Sequence, residues 1–275
     1  MNFFIKKTTI ETKKNIKDNL IVCVSDIHYK KDMTENFLNE ISKHIDAINP
    51  NKICILGDFL DDFSFDSCID MIEWIYNLSK KYPIYIALGN HDAKCQNEEK
   101  LYFIPHLLLF KLKNLHNVTL LEDLEYHKDE NITFYGASFY NVSEKEEMIS
   151  FYNNHVPEIS KESFNILLSH SPYVMNEFNN LNKDYDNIDA IFSGHTHSGL
   201  MPFFLDKHLK TNHGLYTKDL GIFPSCSRGV IEIDKNKKGI IIPAITPLPS
   251  DNNILKAANK CFYKPGMELV RIKKG

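Results

Sequence analysis

An α/β fold, with two packed mixed β-sheets flanked by helices in a single domain over residues 1–275, is predicted from three observations. Apolar strand-like runs alternate with helix-periodic segments between Leu20 and Leu88, the β-α-β-α-β pattern that demands a parallel sheet with helices on its faces. Further short strands, interleaved with helical segments, run from Val118 to Lys273. No internal repeat and no linker rich in Gly, Ser or Pro divides the chain.

The elements follow in order. Alternating Thr8–Thr12 reads as an edge strand and Leu20–Ser25 as a central one. Thr34–Ile48 carries Phe37, Leu38, Ile41, Ile45 and Ile48 at helical spacing and stops before Pro50. Lys52–Leu56 is a strand, Asp66–Lys80 a helix, and Ile84–Leu88 a third strand. Asn97–Asn114 reads as a helix kinked at Pro105. Val118–Leu121, Glu125–His127 and Ile132–Ser138 are short strands, and the capping-box pattern Ser143-Glu144-Lys145-Glu146 starts a helix that runs to about Asn154. Phe164–Leu168 and Ile188–Phe192 are strands flanking a helix near Pro172–Asn180. Val230–Ile233 and Ile240–Ile245 form a hairpin, and Met267–Lys273 is the last strand.

Composition narrows the partners. The chain has 275 residues, 43% of them hydrophobic and 25% charged, enough for a core of ordinary size. A net charge of −4 with only two arginines, Arg228 and Arg271, argues against the dense basic face that duplex nucleic acid needs. The six cysteines form no C-x-x-C pair, and two of them, Cys23 and Cys54, lie in core strands; this suggests a reducing compartment. The first nineteen residues lack an apolar h-region, and the run Leu101–Leu112 is too short and too interrupted to span a bilayer. A cytoplasmic protein without a transmembrane segment is therefore expected.

Five short motifs fall just beyond apolar runs: Asp26-Ile27-His28, Gly57-Asp58-Phe59-Leu60-Asp61, Gly89-Asn90-His91-Asp92, Ser169-His170 and Gly194-His195-Thr196-His197. In a mostly parallel sheet the carboxyl ends of the strands share one edge, and ligand sites of open α/β sheets form there. Carboxylates, imidazoles and one amide gathered at that edge suit a pair of divalent cations, which prefer oxygen and nitrogen donors. Taken singly, most of these motifs have a plainer reading: Asp at a strand end caps or turns the chain, and Ser169-His170-Ser171-Pro172 opens a helix. Their order and common placement change that balance.

The ordered set resembles the calcineurin-like metallophosphoesterase superfamily, whose pattern is D-x-H, G-D-x-x-D, G-N-H-[DE], a lone His, and G-H-x-H. The similarity covers residues 20 to 200, and Ser227-Arg228-Gly229 looks like the tail of the small bacterial phosphodiesterase branch. The resemblance implies a four-layer α/β/β/α arrangement and a dinuclear centre of manganese, iron or zinc. By position, Asp26, His28 and His197 hold the first metal; Asn90, His170 and His195 hold the second; Asp58 bridges both. It implies a phosphoester hydrolase acting on a phosphodiester, or on a small phosphorylated or lipid-headgroup substrate, by attack of a metal-bridging hydroxide. His91 either protonates the leaving oxygen or donates to the phosphate. Asp92 is expected to orient His91 through a hydrogen bond, and Asp61 to support Asp58 or a histidine ligand. Arg228 and His213 are candidate substrate contacts, with a structural salt bridge as the competing role for Arg228. A nuclease or protein phosphatase with the same ions, and a non-catalytic interaction module on the same fold, are the alternatives.

Overall fold

The computed structural model describes residues 3–33, 36–61, 64–94, 103–137, 145–202, 212–217, 221–235, 237–248 and 263–275, with single positions at 253, 256, 257 and 259. The first half contains β1 (Phe4–Thr12), β2 (Asn19–Val24), α1 (Phe37–Ile48), β3 (Lys52–Leu56), α2 (Phe65–Ser79), β4 (Ile84–Ala87), the short α3 (Asn90–Lys94), α4 (Phe103–Lys113) and β5 (Val118–Leu121). The second half contains β6 (Tyr126–Asp129), β7 (Ile132–Ala137), α5 (Lys145–Asn154), β8 (Phe164–Ser169), α6 (Tyr173–Glu177), β9 (Ala190–Ser193), β10 (Tyr216–Thr217), β11 (Gly221–Ile222), β12 (Gly229–Glu232), β13 (Lys238–Ile241) and β14 (Gly266–Lys274).

The strands form two mixed six-stranded sheets, in the orders β1-β14-β2-β3-β4-β5 and β12-β13-β9-β8-β7-β6. Strands β2 to β5 are parallel in the first sheet, as are β7, β8, β9 and β13 in the second. Side-chain alternation builds the layers. Ile21 and Cys23 of β2, Cys54 and Leu56 of β3, and Val270 and Ile272 of β14 pack with Phe134, Ile166, Leu168 and Phe192 of the other sheet. The intervening Val22, Val24, Ile53 and Ile55 face outward onto Ile41, Ile45, Met71 and Ile75 of α1 and α2. On the far side Tyr135, Leu167 and Ile191 meet Met148, Tyr152 and Val174 of α5 and α6. Strands covered on both faces have to be apolar throughout, which is why these segments read as continuous runs rather than alternating ones. No helix among the described residues is long and apolar enough to cross a membrane.

Several boundaries differ from the expectation. The helix placed near Pro172–Asn180 splits into α6 and a 3₁₀ turn, Phe178–Asn180. The strand expected from Ile188 begins at Ala190, because the Ile188 amide closes the preceding turn onto the Tyr185 carbonyl at 2.9 Å. The segment after Gly89 forms the short helix α3, for which the sequence offered no signal. The hairpin β10–β11 had no sequence counterpart. Residues 97–102 of the expected helix and Ser143-Glu144 of the capping box lie outside the described residues.

Glu268 of β14 faces the inter-sheet layer and is fully buried. The Thr8 hydroxyl donates to its Oε1 at 2.6 Å, while Oε2 has no hydrogen-bond partner. Burial pushes its carboxyl from 4.5 up to about 7, against the hydrogen bond from Thr8 and the charge of Lys6. Between these two values the folded protein keeps a proton that the unfolded chain has released, so stability falls as pH rises through that window. Glu268→Gln is therefore expected to be more stable than the wild type at pH 8, by on the order of 3 kcal/mol. The gap should close by pH 4.5, as followed by thermal unfolding against pH; a gap independent of pH would contradict the assignment.

Candidate metal centre

Each motif begins at the end of a strand or within two residues beyond it, and the carboxyl ends of β2, β3 and β4 meet those of β8 and β9 at one edge. Backbone bonds join the loops: the Asp26 amide donates to the Gly57 carbonyl at 3.1 Å and the Gly194 amide to the His170 carbonyl at 2.9 Å. The loop after β2 and the loop after β3 run side by side. His28 N donates to Asp58 O at 2.9 Å, Tyr29 N to Phe59 O at 3.0 Å, and Asp61 N returns to Tyr29 O at 3.2 Å.

Tight loops place the side chains at a conformational cost. Asp26, His28, Asp58, His195 and His197 all have positive φ, from 45° to 70°. Non-glycine residues in this region carry on the order of 1 kcal/mol or more of strain, and such residues cluster at functional sites. Of the three motif glycines only Gly57 shares the conformation, at φ 76°. Gly194 is needed for space instead: a Cβ there would lie 1.7 Å from Ser25 Oγ and 2.8 Å from Asp26 Oδ2.

Two donor groups result. Asp26, His28 and His197 bring ligand-capable atoms within 4.8 Å of one another, and so do Asp58, His170 and His195. His197 Nε2 is 3.5 Å from Asp26 Oδ1, and His28 Nε2 is 4.0 Å from the same oxygen. In the second group His170 Nε2 lies 3.3 Å from Asp58 Oδ2, 3.2 Å from Asn90 Oδ1 and 3.2 Å from His195 Nδ1. Asp58 joins the groups, since its Oδ2 is also 3.6 Å from His28 Nε2. A third overlapping group consists of His28, Asp61 and His91.

The surroundings suit a cation. His170 Nδ1 is 2.6 Å from the Leu56 carbonyl and His197 Nδ1 2.9 Å from the Thr246 carbonyl, so each ring donates outward through Nδ1 and turns Nε2 inward. Asp26 Oδ1 and His28 Nε2 are buried atoms without hydrogen-bond partners, an arrangement that is costly unless something positive sits between them. Burial disfavours charge on Asp26, but the imidazoles of His197, His170 and His28 outweigh it and hold the carboxyl below its ordinary value. At Asp58 the same contest, won by His170, His28 and His91, leaves the carboxyl far below that range. Burial lowers His197 to about 4, so its ring is neutral and ready to ligate. His170 goes the other way: Asp58 overcomes burial and raises it to about 10, so a cation at Nε2 has to displace a proton.

Asp92 differs from the expectation. Its Oδ2 accepts from the Asp58 amide and the Gly89 amide, both at 2.8 Å, rather than from His91. Adjacent residues on a helix point about 100° apart, so Asp92 and His91 of α3 cannot face each other. Asp92 instead clasps the loop that carries Asp58. Burial and the charge of Asp58 push its carboxyl up to about 7, against the two amide bonds. The partner of His91 is Asp61: Oδ1 lies 3.0 Å from His91 Nδ1 and 3.6 Å from His28 Nδ1, and Oδ2 lies 2.7 Å from Lys30 Nζ. The imidazoles of His28 and His91 hold the Asp61 carboxyl far below its ordinary range. His91 is 29% exposed and crosses the His28 ring edge-on at 4.7 Å.

Two further candidates remain. Arg228 is buried, at 3% exposed, and follows Ser227, whose carbonyl accepts from the Thr196 hydroxyl at 2.7 Å. His213 is exposed on the segment beside Gly199 and lies outside the converging groups. Lys30, and the Thr246 and Leu56 carbonyls, contribute without any sequence signal: a backbone acceptor has no residue type, and Lys30 lies outside every motif.

A family model described as calcineurin-like phosphoesterase matches residues 20–199. The chain is 26% identical over 228 residues to an uncharacterized metallophosphoesterase of Campylobacter jejuni, covering 79% of this chain and 54% of that protein. It is 25% identical over 215 residues to an uncharacterized metallophosphoesterase of Helicobacter pylori, covering 77% and 54%. The chain thus spans about half the length of these curated relatives. Among solved structures, Yfce, a phosphoesterase from E. coli, aligns with a TM-score of 0.37 and 10% identity over 85% of this chain and 84% of that one.

Proposed function

Because this chain belongs to the calcineurin-like phosphoesterase family, we propose that it hydrolyses a phosphate ester, a phosphodiester or small phosphorylated molecule, at a centre for two divalent cations. Asp26, His28 and His197 would hold one ion, Asn90, His170 and His195 the other, and Asp58 both. The observation that carries this reading is the convergence of oxygen and imidazole donors from five loops, among which the buried Asp26 Oδ1 and His28 Nε2 have no hydrogen-bond partner. The ions supply charge neutralisation of the phosphate and a water acidic enough to act near neutral pH. Manganese, iron and zinc all accept this donor set.

The protein's own groups divide the remaining work. The carboxylate of Asp61 holds His91 Nδ1, which leaves Nε2 to give a proton to the departing oxygen. The Asp58 carboxylate accepts from the His91 amide at 2.8 Å, so the position of the acid is tied to that of the shared ligand. Asp92 fixes the turn that sets both. Hydrolysis of an aryl phosphodiester by the purified chain with added manganese, suppressed by a chelator, is the expected result. Absence of turnover of aryl phosphodiesters and monoesters with manganese, iron and zinc alike would overturn the reading.

A further inference from the structure

Beside the donors assigned to the two ions stands a third set. His28, Asp61 and His91 bring ligand-capable atoms within 4.8 Å of one another, from the loops after β2 and β3 and from α3. Asp61 Oδ1 lies 3.0 Å from His91 Nδ1 and 3.6 Å from His28 Nδ1. Donors about 2.0–2.1 Å from a tetrahedral zinc stand about 3.3 Å apart, and these two separations bracket that spacing. The His28 and His91 rings meet edge to face, their centroids 4.7 Å apart, with both Nδ1 atoms turned to the same carboxylate oxygen. His28 Nδ1 is buried and has no hydrogen-bond partner, which is costly for a polar atom unless a ligand reaches it.

We propose that these three residues form a separate, inhibitory site for a third divalent cation, with zinc preferred over manganese. Two imidazoles and one carboxylate favour zinc, which binds nitrogen more tightly than manganese does. His28 then joins two ions, Nε2 facing Asp26 and Asp58 and Nδ1 facing Asp61, after releasing its Nδ1 proton to solvent. The charge that the ion brings is returned by the Asp61 carboxylate and the His28 imidazolate, so the centre gains no net charge. Release of that proton makes the third ion the weakest of the three. An ion on His91 Nδ1 also takes the place of the proton that Asp61 holds there, so the ring cannot become the imidazolium that gives a proton from Nε2. The inhibition rests on the phosphoesterase reading; the site itself does not.

Zinc stoichiometry by equilibrium dialysis of the full chain, wild type against Asp61→Asn and His91→Ala, tests this. Three zinc ions are expected on the wild type, two tight and one weaker, and both substitutions should weaken the third about a hundredfold while keeping two tight ions. Crystals soaked in excess zinc should show a third anomalous peak touching Asp61 Oδ1 and His91 Nδ1. Hydrolysis of an alkyl phosphodiester should fall about a hundredfold between two equivalents of zinc and an excess, and that of a p-nitrophenyl ester much less. A wild type that stops at two ions would overturn the proposal and leave the dinuclear centre standing. A third ion that both substitutions leave in place would overturn it too. A zinc that depends on Asp61 and His91 in a protein without turnover would support the site while removing the hydrolase.

Discussion

Turnover of a phosphodiester is expected to fall roughly a thousandfold in Asp58→Asn, since a bridging ligand is worth several kcal/mol of charge stabilisation and each 1.36 kcal/mol is a factor of ten. Asp58 is buried, and its two carboxylate oxygens do different work. Oδ1 accepts from the His91 amide at 2.8 Å; Oδ2 faces His170 at 3.3 Å and His28 at 3.6 Å. Asparagine keeps the shape but removes one negative charge and one lone-pair face between the donor groups. Metal content after dialysis, read by elemental analysis, should drop along with turnover. Wild-type activity and metal content in the variant would place the shared ligand elsewhere.

His91→Ala is expected to lower kcat by about 10²–10⁴, the usual contribution of a positioned general acid. Metal content should be unchanged, because His91 belongs to neither of the two donor groups assigned to the ions. Asp61→Asn should follow in the same direction but less steeply, by about 10–100-fold, as expected of a residue that acts through another. The dependence on leaving group separates a proton donor from a structural histidine. A p-nitrophenyl ester departs as a stable anion and should be affected least, an alkyl ester most. A loss that is the same for both would remove the acid role from His91.

Much of the centre could be read in advance because its parts are local. The strands β2, β3, β4, β8 and β9 are apolar on both faces, so their ends were visible, and the motifs sat beyond them. What could not be read depends on register between loops. Asp92 adjoins His91 in sequence, yet the helix α3 turns the two apart and sends the carboxylate to the Asp58 amide. Asp61 is placed by the pairing of the loops after β2 and β3 through Tyr29 and Leu60, and it meets His91 from α3, which follows β4. Thr246, which holds His197 through its carbonyl, lies 49 residues beyond it and acts through a group that every residue has. The positive φ at Asp26, His28, Asp58, His195 and His197 was equally hidden: Asp and His enter that region more readily than most side chains, but nothing local marks which of them do.

Anomalous scattering at the manganese edge, from crystals grown with that ion, addresses the shared centre most directly. Two peaks about 3.5–4 Å apart are expected, one against Asp26, His28 and His197, the other against Asn90, His170 and His195, with Asp58 touching both. A single peak, or a pair in which Asp58 touches neither, would contradict a dinuclear centre at this edge of the sheets.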